Sequence, residues 1–219
     1  SEAKACEQIT RPEAGHRRRI RSSPAAGATT VHRVCSTRVR SPAMFASSHD
    51  AGTAFVAKNG FRNDDFRPFL YRTTDYGTTW TSIGDGLVDS PINVVVQDSK
   101  NPYLLVVGND LGVWVSIDAG ANWERLRANL PTVAVHDLTI HPRDNDLVLA
   151  THGRGIWILD QVNALQEMTP AIAESTSHLF TIGPAEQIRY RSDRGHTGNM
   201  IFEGENPPAG AIIDYWLGS

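Results

Sequence analysis

Thr73-Thr74-Asp75-Tyr76-Gly77-Thr78-Thr79-Trp80 and Ser116-Ile117-Asp118-Ala119-Gly120-Ala121-Asn122-Trp123 follow one pattern, Ser/Thr-x-Asp-x-Gly-x-x-Trp, and stand 43 residues apart. A short Asp side chain accepts hydrogen bonds from backbone N–H groups of its own turn, and glycine takes the positive φ that such a turn needs. The Trp then covers the hairpin with apolar surface. Thr73, Asp75, Gly77 and Trp80, with Ser116, Asp118, Gly120 and Trp123, therefore read as structural turn residues, and neither aspartate as catalytic.

The flanking residues repeat as well. GTAFVA (52–57) with FLYRTTDYGTTW (69–80) aligns with YLLVVGNDLGVWVSIDAGANW (103–123) and with DLVLATHGRGIWILD (146–160). Asp160 follows Asp118 by 42 residues and has no Gly or Trp after it, as in the last unit of an array. Each unit also has an earlier apolar stretch, Met44 to Ala46, Ile92 to Val96 and Val133 to Ile140, closed by Asp, Asn, Pro and Gly turns. Four short β-branched and aromatic strands per unit describe a propeller blade, whereas helical repeats would need apolar spacings of three and four. The fold class expected is all-β: a partial β-propeller of about three four-stranded blades, followed by an incomplete β-rich C-terminal segment.

The pattern resembles the Asp-box, or BNR repeat, of sialidases, sortilin-type receptors and xyloglucanase-like glycoside hydrolases. DDFRPFLYRTTDYGTTW, LPTVAVHDLTIHPRDNDLVLATHGRGIWILD and FEGENPPAGAIIDYWL carry a closer resemblance to large bacterial sortilin-like or glycosyl-hydrolase-like BNR proteins. That resemblance implies a many-bladed propeller followed by a β-sandwich region in an exported protein, secreted or associated with the cell envelope. It implies architecture more than activity.

The chain has 219 residues, 40% of them hydrophobic, enough for a buried core. Its net charge of −3 hides a mosaic: residues 1–40 carry nine Lys and Arg against three acids, and the remainder twelve against twenty-one. Residues 1–40 hold both cysteines, Cys6 and Cys35, and no aromatic residue. They read as a basic segment, disordered or foreign to the propeller. The run Arg17-Arg18-Arg19-Ile20-Arg21 lacks stacking aromatics, so a solvated tail is favoured over a nucleic-acid partner. No cofactor, metal site, disulfide framework or membrane span is indicated. The expected organisation is 1–40, blades over 41–162, a linker over 163–177 with a helical turn at Asn163 to Glu167, and the start of a β-sandwich-like region over 178–219.

With strands a to d running from the axis outward, the Asp-box lies in the c–d turn, and the b–c and d–a loops open on the other face. The b–c loops are Lys58 to Phe69, Asn109 to Leu111 and His152 to Gly155. Loops on a rigid scaffold are favoured places for function, so Arg62, Asp64, Arg67, His152 and Arg154 are binding candidates for a protein or glycan ligand. Exposed ion pairs among Asp64, Asp65, Arg67 and Arg154 are the structural alternative. Asp65 and Asp110, at comparable positions in neighbouring blades, are the candidates should the protein be a glycoside hydrolase, xyloglucanase-like or sialidase-like, with an incomplete site. An inverting pair needs carboxyl groups about 6.5–9.5 Å apart. His136 and Asp137, on an inner strand, read as a satisfied polar pair. Three blades do not close a ring of about four to eight, so the chain by itself is expected to be sticky, and the remaining blades of a longer protein are expected partners.

Overall fold

In the computed structural model, residues 43–183, 185 and 210–218 are described. The basic segment 1–40, both cysteines, the short extended segment the sequence suggests at Gln187 to Tyr190, and all but Gly210 of the turn it suggests over Gly204 to Gly210 lie outside the described residues.

Three antiparallel sheets of three or four strands follow one another over residues 43–159. β1 (Ala43–Ala46), β2 (Ala54–Lys58), β3 (Phe69–Thr73) and β4 (Thr81–Ser82) form the first, in that order. β5 (Ile92–Gln97), β6 (Leu105–Asn109), β7 (Gly112–Ser116) and β8 (Glu124–Leu126) form the second in the same order. β9 (Val135–Ile140), β10 (Leu147–Thr151) and β11 (Ile156–Leu159) form the third, which has three strands. β5 packs beside β1 on one side and β9 on the other, so the first strands of the sheets line up as the inner strands of adjacent blades. The chain is an open, partial β-propeller.

The reason lies in the middle sheet, whose sequence is apolar on both faces. β6 is buried along its whole length. Leu105 and Val107 point into one core with Phe55, Leu70, Ile83 and Trp123. Val106, with Val94, Val113 and Val115, points into the other with Val135, Leu138, Leu147 and Leu149. Burying a side chain of this size stabilises by roughly 1.5–3 kcal/mol, and the period-two alternation of a strand places such side chains on both sides. Gly108 sits where the second blade meets the third: a Cβ there would lie 2.8 Å from Val94 of its own sheet and 2.9 Å from Val135 of the next.

The third blade departs from four strands for a local reason. Leu159 pairs with Leu147 as Ser116 pairs with Leu105. By register, Gln161 therefore occupies the position of Asp118, and Asp160, aligned with it by spacing, falls one residue early. Gln161 turns at φ 50°, its N–H donating to Asp146 Oδ1 at 3.0 Å, and the chain enters helix α1 (Asn163–Glu167) instead of a fourth strand. Val162 and Leu165 pack into the second core, supplying the burial that Trp123 gives the first.

Helix α1 is tied to the turns at its base. Gln166 donates to Asp98 Oδ1 at 2.7 Å, and its carbonyl accepts from Asn101 Nδ2 at 2.9 Å. Asp98 is fully buried; its other oxygen accepts from the N–H groups of Lys100 and Asn101, both at 2.7 Å. Beyond α1, Thr169 caps a second short helix, α2 (Pro170–Ala173), by accepting from Ile172 N–H. β12 (Ser177–Leu179) and β13 (Tyr215–Leu217) pair antiparallel.

Candidate functional site

The chemistry of the Asp-box turns is spent locally. Asp75 Oδ1 accepts from Thr73 Oγ1 and Thr79 N–H, both at 2.8 Å, and its Oδ2 from Thr79 Oγ1 at 2.6 Å. Asp118 Oδ1 accepts from Ser116 Oγ, Ala121 N–H and Asn122 N–H at 2.7–3.0 Å, and its Oδ2 from Asn122 Nδ2 at 2.7 Å. Gly77 and Gly120 stand at φ 85° and 93°. These donors, Thr79 foremost, hold the Asp75 carboxyl down at about 2. At Asp118 partial burial pushes upward, and the bonds from Asn122, Ser116 and Ala121 outweigh it, leaving the carboxyl below its ordinary value. Asp160, outside the box register, goes the other way: burial and the neighbouring charge of Asp146 raise it.

The second turn also grips the first blade. Trp123 Nε1 donates to Ile83 O at 2.8 Å, and Arg72 Nη1 on β3 donates to Ala119 O at 3.2 Å. Spacing alone does not reveal this; the turn read as a local staple is also a joint between sheets.

On the opposite face lie the loops between second and third strands. Phe61–Asn63 forms a short 3-10 turn closed by Asp64 at φ 56°, with Arg62 and Asp64 exposed. Asp65 and Arg67 form a two-pronged ion pair, Nε to Oδ1 at 2.9 Å and Nη2 to Oδ2 at 2.8 Å. That pairing lowers the Asp65 carboxyl and holds it ionised. Arg67 and Lys58 both approach the Phe69 ring, 4.9 Å and 5.0 Å from its centroid.

Asp110 belongs to a polar chain crossing three blades. Asn93, near the start of β5, donates through Nδ2 to Asp110 Oδ1 at 2.8 Å and to the Val135 carbonyl at 3.2 Å. Its Oδ1 accepts from Asn59 Nδ2 at 3.0 Å. Neither Asn59 nor Asn93 was singled out in the sequence, although Asn93 interrupts the apolar run Ile92 to Val96 and could have been. Asp65 and Asp110 thus enter separate networks.

In the third blade, His152 opens the loop and stacks on His136 of β9, centroids 5.0 Å apart and planes 28° apart. His136 therefore pairs with His152 and not with its neighbour Asp137, whose Oδ1 accepts from Leu138 N–H at 2.9 Å. Arg154 is exposed, and its carbonyl receives the Trp157 indole N–H at 3.0 Å. The face offers charged and polar groups in three loops: exposed Arg62, Asp64 and the ion-paired Asp65 and Arg67 in the first, Asp110 held by Asn93 in the second, and exposed His152 and Arg154 in the third.

A partial propeller with box aspartates on one face and polar loops on the other defines an Asp-box repeat protein. The family model Sortilin-Vps10, described as sortilin, neurotensin receptor 3, matches residues 69–178, half of the chain. The chain belongs to the Sortilin-Vps10 family. Among solved structures it is similar to an ancestral GH74 enzyme, 17% identical with a TM-score of 0.42 over 51% of this chain and 13% of that one. It is also similar to the GH74 xyloglucanase from Xanthomonas campestris, 16% identical, TM-score 0.42, over 51% of this chain and 20% of that one. A third is YCF48 bound to D1 peptide, 16% identical, TM-score 0.38, over 51% of this chain and 34% of that one. The chain thus spans about a third or less of the length of these proteins. No curated protein matches it significantly.

Proposed function

We propose that the chain is the scaffold and binding portion of a larger, exported propeller protein, secreted or held at the cell envelope, which takes a protein or glycan ligand on the loop face. The observation that carries this reading is the state of the carboxylates. Asp75 and Asp118 are consumed by their own turns, and Asp65 is locked to Arg67 and ionised, the wrong form for a general acid. Exposed Arg62 and Arg154 remain to meet acidic or hydroxyl groups of a ligand. The family match supports export, and no helix among the described residues is long and apolar enough to cross a membrane.

The test is binding of the purified chain to a glycan array and to a phage-displayed peptide library, with hydrolysis of xyloglucan and sialyllactose measured in parallel. Selective binding weakened at least tenfold in an Arg62→Ala/Arg154→Ala variant is expected. Hydrolysis that disappears in Asp65→Ala or Asp110→Ala would replace the binding reading with a hydrolase.

A further inference from the structure

We propose that His136 and His152 form a two-histidine site for a divalent cation that favours imidazole, such as Zn²⁺, Ni²⁺ or Cu²⁺. The ladder of the sheet brings the two together. In the second sheet Ile92 pairs with Asn109 and Val94 with Gly108, which leaves Asn93 as the extra residue of a β-bulge. In the third sheet Val135 pairs with Thr151 and Asp137 with Ala150, and His136 is the extra residue at the same place. A bulge re-aims the side chain it carries. Asn93 turns to Asp110, the residue just past β6, and donates to its Oδ1 at 2.8 Å. His136 turns likewise to His152, the residue just past β10, and there the contact is the ring stack at 5.0 Å. The place of an amide–carboxylate bond in one blade is thus taken by an imidazole pair in the next.

The pair has the spacing and the access of a ligand set. An imidazole nitrogen binds such an ion at about 2.0–2.1 Å. Two rings on one ion, at angles between square-planar and tetrahedral, then have centroids about 4.5–5.2 Å apart. The observed separation falls within that span. Both residues are exposed, so an ion reaches them from solvent. Among the described residues neither imidazole takes part in a hydrogen bond, so a nitrogen of each stays available for a metal bond. His152 is also held in position: its N–H donates to Ala134 O at 2.8 Å, and Thr151 Oγ1 closes the following turn by donating to Gly155 O at 2.6 Å. Ligands fixed by their own backbone lose little freedom on binding. No third His, Cys, Asp or Glu joins the pair among the described residues. Water therefore completes the coordination, at positions open to an oxygen donor of a ligand on the loop face. The pair takes its ion whatever else that face binds.

The experiment titrates Zn²⁺ into the full chain, its thiols blocked by alkylation, and follows by NMR the imidazole signals of His136 and His152, assigned through His136→Gln and His152→Gln. Both signals should shift together and saturate. Either substitution should weaken the response of the remaining imidazole by roughly tenfold or more, since one of two linked ligands is lost. Both side chains are exposed, so the variants keep the fold, and unchanged amide signals in β9 and β10 check this. His141→Gln removes a histidine that faces Asp144 at the far end of β9 and should leave the response of both signals as in the unmodified chain. Signals that stay fixed at millimolar Zn²⁺ would overturn the proposal. So would a full response of one imidazole after loss of the other, because the rings would then be stacked without sharing an ion.

Discussion

Trp123→Phe separates a turn that merely closes a hairpin from one that joins two sheets. The indole is 7% exposed, lies in the first core, and donates to the Ile83 carbonyl at 2.8 Å. Phenylalanine keeps most of the apolar contact and gives up on the order of 50 Å² of it, about 1 kcal/mol at 25 cal/mol/Å². It also strands a buried carbonyl, which costs about 1–3 kcal/mol. The loss should total roughly 2–4 kcal/mol, read as a shift of the urea midpoint at unchanged slope at micromolar protein. Trp80→Phe provides the control, since it removes the same atoms from the equivalent turn without breaking a bond to a neighbouring sheet, and should cost less than about 1 kcal/mol. Equal losses at the two positions would refute the reasoning, because the tryptophans would then act only within their own hairpins.

Gly108→Ala should destabilise by about 1–3 kcal/mol by forcing Val94 and Val135 apart; a neutral result in urea titration would mean that the second and third blades are not in contact there. Asp75, lowered from 3.8 to about 2 in the folded chain, stabilises it fully above its unfolded value, and that contribution drains away as pH falls from about 4 to about 2. Melting temperature should fall over that window, and less steeply in Asp75→Asn; identical profiles would rule out the carboxylate's role. Gln166→Ala removes the donor to Asp98 Oδ1, leaving the buried carboxylate held only through Oδ2, and should speed amide exchange at Asn101 and through α1, while exchange in β2 and β3 stays as it was; uniform protection would contradict the latch. The chain alone should associate or melt irreversibly through its open sheet faces, and a sharp, reversible, monomeric transition in sedimentation and calorimetry would count against this.

What the sequence disclosed is what short-range chemistry dictates. The Thr/Ser, Asp and Gly of each box lie within eight residues and bond among themselves, so spacing suffices to find them. The strands are equally legible, since period-two apolar patterning is local. The joints are not: Arg72 meets Ala119 across 47 residues, Trp123 meets Ile83 across 40, and Asn93 reaches Val135 across 42. Nothing in the type of residue announces those partners before the sheets are stacked. The third unit misled by one position, because a composition match at Asp160 competes with a ladder register that only paired backbones reveal. On the loop face, the opposite charges of Asp64, Asp65 and Arg67 exposed the ion pair as an option, but which aspartate takes Arg67 is legible only in the folded loop, where it is Asp65.

The reach of Trp123 and Arg72 means that the stretch which loses structure together is offset from the repeat seen in the amino-acid string. A sheet plus the following turn forms one cooperative parcel, so a cut after Ser90, between two tidy repeats, would strip the first sheet of its lid. Shuffling or trimming such arrays should respect a boundary beyond Trp123 instead.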